Sequence, residues 1–388
     1  MSGNPSSASG LAVAAALLLT TAGAVAQERP ATEDGLRIAI FGDSGAGTPD
    51  QKAVARQMRR FRSDLRHVFL LGDNVYFTGQ AKRFRAAFHD VYAPFLSAGP
   101  NGEPPVRFHS ALGNHDVKGC EVSPDSEGRL APDRDAYSWR EEGCDVEEQL
   151  ADPAFGYAEG RRYYTVDLQD AEGRLLAEVY VLDAGTLPSE KHPDRLDPGQ
   201  LAWLRESLEA SHAREAQTGL DPWRIVTLHR PIRTPSAKGY VFGKGGHDEE
   251  DVLIQTLGSA LVGPEMLGPD PRLQAEMRPM LEKGHVDVAF AGHNHFYARL
   301  LPDEFGVRHF VSGGGGIAVY EPVKSSAPVA SGGGFHHFVT AVLTPERFEY
   351  CVIDSLGRIR DHGWWTHASG TEPDEPLDDA RRRRVCGR

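Results

Sequence analysis

The sequence predicts an α/β protein, specifically a four-layer αββα sandwich with two mixed β-sheets flanked by helices. Three observations carry this expectation. Short apolar runs alternate with helical patterns over residues 36–114, as in sheets whose strands are joined by helical crossovers. From residue 306 the pattern changes to a β meander, with apolar runs following one another directly. The chain has 388 residues and is 40% hydrophobic, which suits two packed sheets better than one.

LRIAIFGD (36–43) reads as the first strand. Thr48 and Pro49 then supply an N-cap and a first-turn proline, and Val54, Met58, Phe61 and Leu65 recur at helical spacing. HVFLLGD (67–73) is the second strand, and the helix after it carries Phe84, Phe88, Val91 and Phe95 on one face. VRFHSALGN (106–114) is the third strand. Residues 118–160 lose the rhythm and, rich in Asp, Glu, Gly and Pro, read as a loop insertion. RRYYTVDL and LLAEVYVLD form an antiparallel pair around a polar turn. Asp197-Pro198 opens a helix with Leu201, Leu204 and Leu208, before the buried strands WRIVTLH (223–229) and VDVAFAGH (286–293). GVRHFVSGGGG, HHFVTAVLT and RFEYCVID complete the meander.

The termini and cysteines indicate where the chain works. LAVAAALLLTTAGAVA (11–26) is uncharged and ends in Ala24-Val25-Ala26, a small-x-small cleavage pattern. It is short of the ~20 apolar residues that span a bilayer, so residues 1–26 read as a signal peptide. Residues 1–10 carry no Lys or Arg, which keeps an uncleaved anchor as the alternative. Four cysteines fit an oxidising compartment and allow three pairings. We expect Cys120 with Cys144, stapling the insertion, and Cys351 with Cys386, tying down the tail; free buried thiols are the alternative. Their spacing makes no CxxC metal clasp. The arginine run in DEPLDDARRRRVCGR reads as a solvated tail. A net charge of -13 argues against a general nucleic-acid or anionic-membrane binder.

Five apolar strands end in possible metal ligands. IAIFGDSG delivers Asp43; VFLLGDNVY delivers Asp73 and Tyr76; HSALGNHD delivers Asn114 and His115. IVTLHRP delivers His229, and VAFAGHNH delivers His293 and His295. In open α/β sheets, ligands bind beyond the carboxyl ends of strands. Neighbouring strands would therefore bring all five turns to one rim. Taken singly, each turn is an ordinary loop or a buried histidine satisfied by a carbonyl. Together they offer only oxygen and imidazole donors, which points to a metal site.

These motifs resemble the calcineurin-like metallophosphoesterase superfamily: Asp43 in GDSG, Asp73 and Tyr76 in GDNVY, Asn114 and His115 in GNHD, His229, and His293 and His295 in GHNH. The tyrosine is similar to that of the purple acid phosphatase family. The resemblance runs from about residue 37 to about residue 353. It implies a metallophosphoesterase catalytic domain at 27–355, with the tail at 356–388. It also implies a dinuclear centre bridged by Asp73. Asp43, Tyr76 and His295 would complete the Fe3+ position; Asn114, His229 and His293 would complete a divalent one holding Zn2+, Mn2+ or Fe2+.

The charges make independent sense of that division. Two carboxylates and a phenolate suit a hard trivalent ion, whereas the shared carboxylate, an amide and two neutral imidazoles suit a softer divalent one. Such a centre would hydrolyse a small phosphomonoester by in-line attack of a metal-bound hydroxide on phosphorus. His115 is placed to hydrogen-bond the phosphoryl group or protonate the leaving oxygen, with an orienting role as its alternative. The family pattern has another histidine nine residues after His229; here that position is Lys238. Lys238 and His247, in the same loop, are candidate substrate contacts. His109, His336 and His337 lie in strand patterns and read as structural. SGGGG (312–316) lets the backbone pass close to the site or turn tightly.

The leading expectation is an exported acid phosphatase, periplasmic or secreted. A phosphodiesterase or nucleotide hydrolase on the same site is the nearest alternative. An exported iron-binding or redox protein is the other class, disfavoured because a metal carrier needs no proton donor beside Asn114.

Overall fold

The computed structural model describes residues 35–127, 129–139, 144–183, 196–235, 271–323 and 327–387. Residues 1–26, expected to be a signal peptide, and the candidate substrate contacts Lys238 and His247 lie outside them. The first third contains β1 (Leu36–Phe41), α1 (Pro49–Met58), β2 (Leu65–Leu70), α2 (Asp90–Leu96) and β3 (Arg107–Ser110). The insertion adds β4 (Cys120–Val122), β5 (Tyr137–Trp139) and α3 (Val146–Ala151). Then come β6 (Tyr164–Gln169), β7 (Leu175–Val181), α4 (Pro198–Thr218), β8 (Trp223–Leu228), α5 (Arg278–Lys283) and β9 (Val288–Ala291). The last part holds β10 (Tyr297–Leu300), β11 (Arg308–Ser312), β12 (Val329–Gly333), β13 (His337–Leu343), β14 (Phe348–Asp354), β15 (Ile359–Trp365) and α6 (Asp379–Cys386).

Two mixed sheets result. The six-stranded sheet runs β15-β14-β13-β1-β2-β3, with β1, β2 and β3 parallel and the rest antiparallel. The seven-stranded sheet runs β12-β10-β11-β9-β8-β7-β6, with β7, β8, β9 and β11 parallel. Side chains alternate between the faces of the second sheet, as strand geometry requires. Val179, Ile225, Val288 and Phe290 join the core between the sheets. Tyr180, Val226, Ala289 and Ala291 face outward, where Leu201, Leu204 and Leu208 of α4 cover them. Helices on the outside and two sheets inside make the four layers the sequence predicts.

The core between the sheets is heavily aromatic. Phe348 stacks on Trp365 at 4.2 Å, and Phe310 lies 4.8 Å from Phe290 and 5.1 Å from Tyr350. Fully burying each such side chain contributes roughly 1.5–3 kcal/mol. This packing fixes the sheets relative to one another, and with them the loops at their ends.

Three local expectations need correction. Leu65 is the first residue of β2, opposite Arg37, rather than the last turn of a helix; α1 ends at Met58 and passes through a tight turn at Arg59–Phe61. Phe61 and Leu65 bury in the same core, so the apolar spacing runs on after the helix has stopped. The insertion is also more ordered than a loop. Its β4–β5 hairpin is pinned by Arg162, a fully buried guanidinium that donates to Ala131 O at 2.6 Å and to Asp183 at 2.9 Å, and also pairs with Asp197.

The arginine run is the third correction. It forms α6, with Asp378 as its N-cap and Val385 and Cys386 buried. Arg384 pairs with the buried carboxylate of Glu349, and Arg381 lies 3.4 Å from it. Arg37 donates to the last carbonyls of the helix, at 2.8 Å to Arg384 O and 2.9 Å to Val385 O. The disulfides pair as expected, Cys120 with Cys144 and Cys351 with Cys386, closing separations of 24 and 35 residues. Loops of that size contribute about 3–4 kcal/mol each by restricting the unfolded chain.

Candidate metal centre

The carboxyl ends of β1, β2 and β3 in one sheet meet those of β8 and β9 in the other. His229, just past β8, donates from Nδ1 to Leu71 O, just past β2, at 2.8 Å. Asp43 N–H donates to Gly72 O at 3.0 Å. The chain must reverse sharply at these ends, and Asp43, Asp73 and His293 have φ of 59°, 54° and 67°. Left-handed backbone at a non-glycine residue is costly and clusters at functional sites. Glycines supply the close approach between loops. A Cβ on Gly72 would lie 2.7 Å from His229 Nδ1, and one on Gly313 would lie 2.8 Å from Asp43 Oδ2.

The side chains converge in two groups. In the first, Tyr76 Oη donates to Asp43 Oδ1 at 3.2 Å and lies 3.3 Å from His295 Nε2, which is itself 3.4 Å from Asp43 Oδ1. In the second, Asn114 Oδ1 lies 3.0 Å from both His229 Nε2 and His293 Nδ1, and those two nitrogens are 3.3 Å apart. Asp73 sits between them. Its Oδ1 is 3.4 Å from His229 Nε2, while ligand atoms of Asp73, Asp43 and His295 all lie within 4.8 Å of one another. The structure therefore brings Asp43, Asp73, Tyr76, Asn114, His229, His293 and His295 to one place.

These contacts suit cations. His229 Nδ1 is committed to a carbonyl, so its Nε2 presents a lone pair to the amide oxygen of Asn114. Two acceptors at 3.0 Å repel unless a positive charge lies between them. His295 repeats the arrangement: Nδ1 lies 3.1 Å from Ala318 O, leaving Nε2 directed at the Asp43 carboxylate. A carbonyl partner on the remote ring nitrogen is the usual way a protein orients an imidazole ligand. Carboxylates, phenol, amide and imidazoles are together a fitting donor set for a hard ion and a borderline one.

His115 faces the same space. Its Nδ1 donates to Phe77 O at 2.7 Å, and its backbone N–H donates to Asp73 Oδ1 at 2.9 Å. Its Nε2 is 4.0 Å from Asp73 Oδ2. Burial lowers the His115 pKa against the opposing pull of the Asp73 carboxylate. Burial works against ionisation of Asp73, but the imidazoles of His229 and His115 prevail and hold it below the usual carboxylate range. His293 is pushed well below its ordinary value by burial and then by the Arg230 guanidinium.

Two residues of the site escaped the sequence reading. Asp116, the last residue of GNHD, is fully buried and accepts from the backbone N–H groups of Gly113 at 2.8 Å and of Asn74 and Val75 at 3.0 Å. It ties the β2 and β3 turns together. Burial and the neighbouring Asp73 raise its pKa to about 7, against the hydrogen bonds that lower it. Asn294, between the two histidines of GHNH, donates to Thr234 Oγ1 at 2.7 Å and so links the β9 turn to the loop after β8. The motif strings contained both residues, but a bond from one loop to another has no signature in spacing. Of the histidines read as structural, His337 donates from Nδ1 to Phe335 O at 2.8 Å, and His109 lies 2.9 Å from His67; neither belongs to either ligand group.

The calcineurin-like phosphoesterase profile matches residues 36–297, a span that includes all five turns. The chain belongs to the calcineurin-like phosphoesterase family. It is thus a metallophosphoesterase-superfamily hydrolase, of a family that works through a dinuclear metal centre. Purple acid phosphatase 4 of Arabidopsis thaliana is 24% identical over 315 residues, covering 76% of this chain and 72% of that protein. The fold is similar to that of the purple acid phosphatase PPD1 from yellow lupin seeds, with a TM-score of 0.55 and 20% identity. That likeness covers 87% of this phosphoesterase and 55% of the lupin chain. GAP50, the anchor in the inner membrane complex of Plasmodium, is similar over 89% of this chain and 98% of its own, with a TM-score of 0.56 and 14% identity. Among the described residues of this phosphoesterase, no helix is long and apolar enough to cross a membrane.

Proposed function

We propose that this phosphoesterase is an exported acid phosphatase of the purple acid phosphatase kind, cleaving small phosphomonoesters. The observation that carries the reading is the place of Asp73 between two unlike ligand groups. In this reading Asp43, Tyr76 and His295 hold Fe3+; Asn114, His229 and His293 hold Zn2+, Mn2+ or Fe2+; and Asp73 serves both. When bound, such ions supply the positive charge that clamps a phosphate and make a water acidic enough to act as nucleophile.

The remaining work falls to side chains. Asp116 and the left-handed turns fix the ligands in advance, so little reorganisation accompanies binding. The Phe77 carbonyl takes the Nδ1 proton of His115 and turns Nε2 toward the site, where the imidazolium form can hydrogen-bond the phosphoryl group or pass its Nε2 proton to the leaving oxygen and return to the neutral ring. Lys238 and His247 are proposed substrate contacts; a lysine would act on phosphate as a point charge rather than as an acid. Export is supported by the two disulfides, which persist in oxidising compartments.

The test compares p-nitrophenyl phosphate with its bis ester on protein loaded with iron and zinc. We expect kcat/KM for the monoester to exceed that for the diester by at least about tenfold at mildly acid pH, because only the monoester brings a dianion to the two positive charges. Preference for the bis ester would favour the phosphodiesterase reading. Failure to cleave either would leave an iron-binding protein.

A further inference from the structure

The insertion between β3 and β6 reaches the turns that carry the metal ligands. Val146, Gln149 and Leu150 form one buried face of α3, at helical spacing. Val146 and Leu150 enter the main apolar core. Gln149 is 0% exposed, and its Nε2 donates to Asp116 Oδ1 at 3.2 Å and to Tyr157 Oη at 3.1 Å. Asn74 Nδ2 donates to Asp116 Oδ2 and Tyr157 Oη, both at 3.1 Å. Tyr157 Oη donates in turn to Ala111 O, just past β3, at 3.4 Å. The start of α3 is held as well: Cys144 is bridged to Cys120, and Asp145 Oδ2 accepts from the Ala81 N–H at 2.8 Å.

Packing does not call for an amide at this position. Gln149 Oε1 meets no hydrogen-bond donor among the described residues, and a buried polar atom left so is costly. A methionine would fill the same space without that cost. What the amide gains comes through Nε2 and the carboxylate it holds. Asp116 accepts from the backbone N–H groups of Gly113, Asn74 and Val75. Asn74 follows Asp73 in the chain, and Gly113 precedes Asn114. A displaced Asp116 carboxylate would therefore shift two ligands together, the one between the groups and one of the second group. Partners behind metal ligands fix their orientation and tune affinity.

We propose that Gln149, backed by Tyr157, is a positioning residue for the metal centre. By holding the Asp116 carboxylate it sets the turns that carry Asp73 and Asn114, which makes the insertion part of the metal-binding machinery. This rests on the metal-centre part of the reading above and not on the substrate.

The test reads Zn2+ affinity, so it does not depend on turnover. Metal-free wild type, Gln149→Met, Tyr157→Phe and Leu208→Ala are titrated with Zn2+ against a chromophoric chelator, and each metal-free form is melted. Gln149→Met is expected to bind Zn2+ about tenfold more weakly, the lower end of the range for groups behind metal ligands. Tyr157→Phe should weaken binding in the same direction. Leu208→Ala lies in the separate apolar cluster under α4; it should melt at a lower temperature yet keep wild-type affinity, which tells a general loss of stability from a loss of positioning. Wild-type affinity in a folded Gln149→Met, or an equal loss in Leu208→Ala, overturns the assignment. If Gln149→Met does not fold, wild-type affinity in Tyr157→Phe overturns it. Hydrolysis of p-nitrophenyl phosphate separates the two readings. A wild type that binds Zn2+ and cleaves no phosphate ester ends the phosphatase reading and leaves the positioning role standing; one that binds no Zn2+ ends both.

Discussion

Asp73→Asn is expected to lower turnover on p-nitrophenyl phosphate by about a thousandfold or more, since several kcal/mol of charge stabilisation depend on the ions it holds. Asparagine keeps the shape of the side chain and an oxygen for the His115 N–H, which donates to Asp73 Oδ1 at 2.9 Å. What it removes is the negative charge at the one position between both ligand groups. Metal content should fall with activity, because a neutral amide cannot replace a shared carboxylate for two cations. The fold should survive. The turns around it are held by Asp116, which accepts from the backbone N–H groups of Gly113, Asn74 and Val75, contacts that do not depend on the charge at Asp73. Metal analysis, a thermal melt of the metal-free form and a rate measurement on one preparation check all three. Retention of both ions with turnover within tenfold of wild type would exclude a shared role for Asp73.

His115→Ala separates chemistry from metal binding. We expect turnover to fall by about a hundredfold to ten-thousandfold, the range typical of a lost general acid, with metal content unchanged. Its ring nitrogens explain why: Nδ1 is committed to Phe77 O, and Nε2 stands 4.0 Å from Asp73 rather than among the closest ligand contacts. The deficit should be larger for an alkyl phosphate than for p-nitrophenyl phosphate, because p-nitrophenolate departs without a proton and an alkoxide does not. Equal loss of metal and turnover, or equal deficits on both esters, would leave His115 an orienting role only.

How much of this was legible in the sequence depended on the kind of residue. Asp43, Asp73, Asn114, His229 and His293 each end a short apolar run, so strand geometry alone directed them to a common rim. Tyr76 and His295 stand further into the same turns, and the division of all seven between two ions came from the family resemblance. Asp116 and Asn294 act through backbone N–H groups and Thr234, contacts that depend on how two loops meet in space. Leu65 misled because helix and strand bury into one core, which apolar spacing cannot divide. The arginine tail misled because its partner, Glu349, lies 35 residues from Arg384, inside a strand that reads as apolar. Gln149 stands in the insertion and matches no motif; only the fold sets its amide beside Asp116.

The central claim is that five turns from two sheets build one centre for two unlike ions, with Tyr76 on the iron side. It is tested most directly by metal analysis and a visible spectrum taken on the same sample of purified wild type and of Tyr76→Phe. Two ions per chain, at least one of them iron, and a violet or pink colour that the phenylalanine variant loses while keeping its iron, is the predicted result. A wild type that binds iron and stays colourless, or holds a single ion per chain, would contradict it.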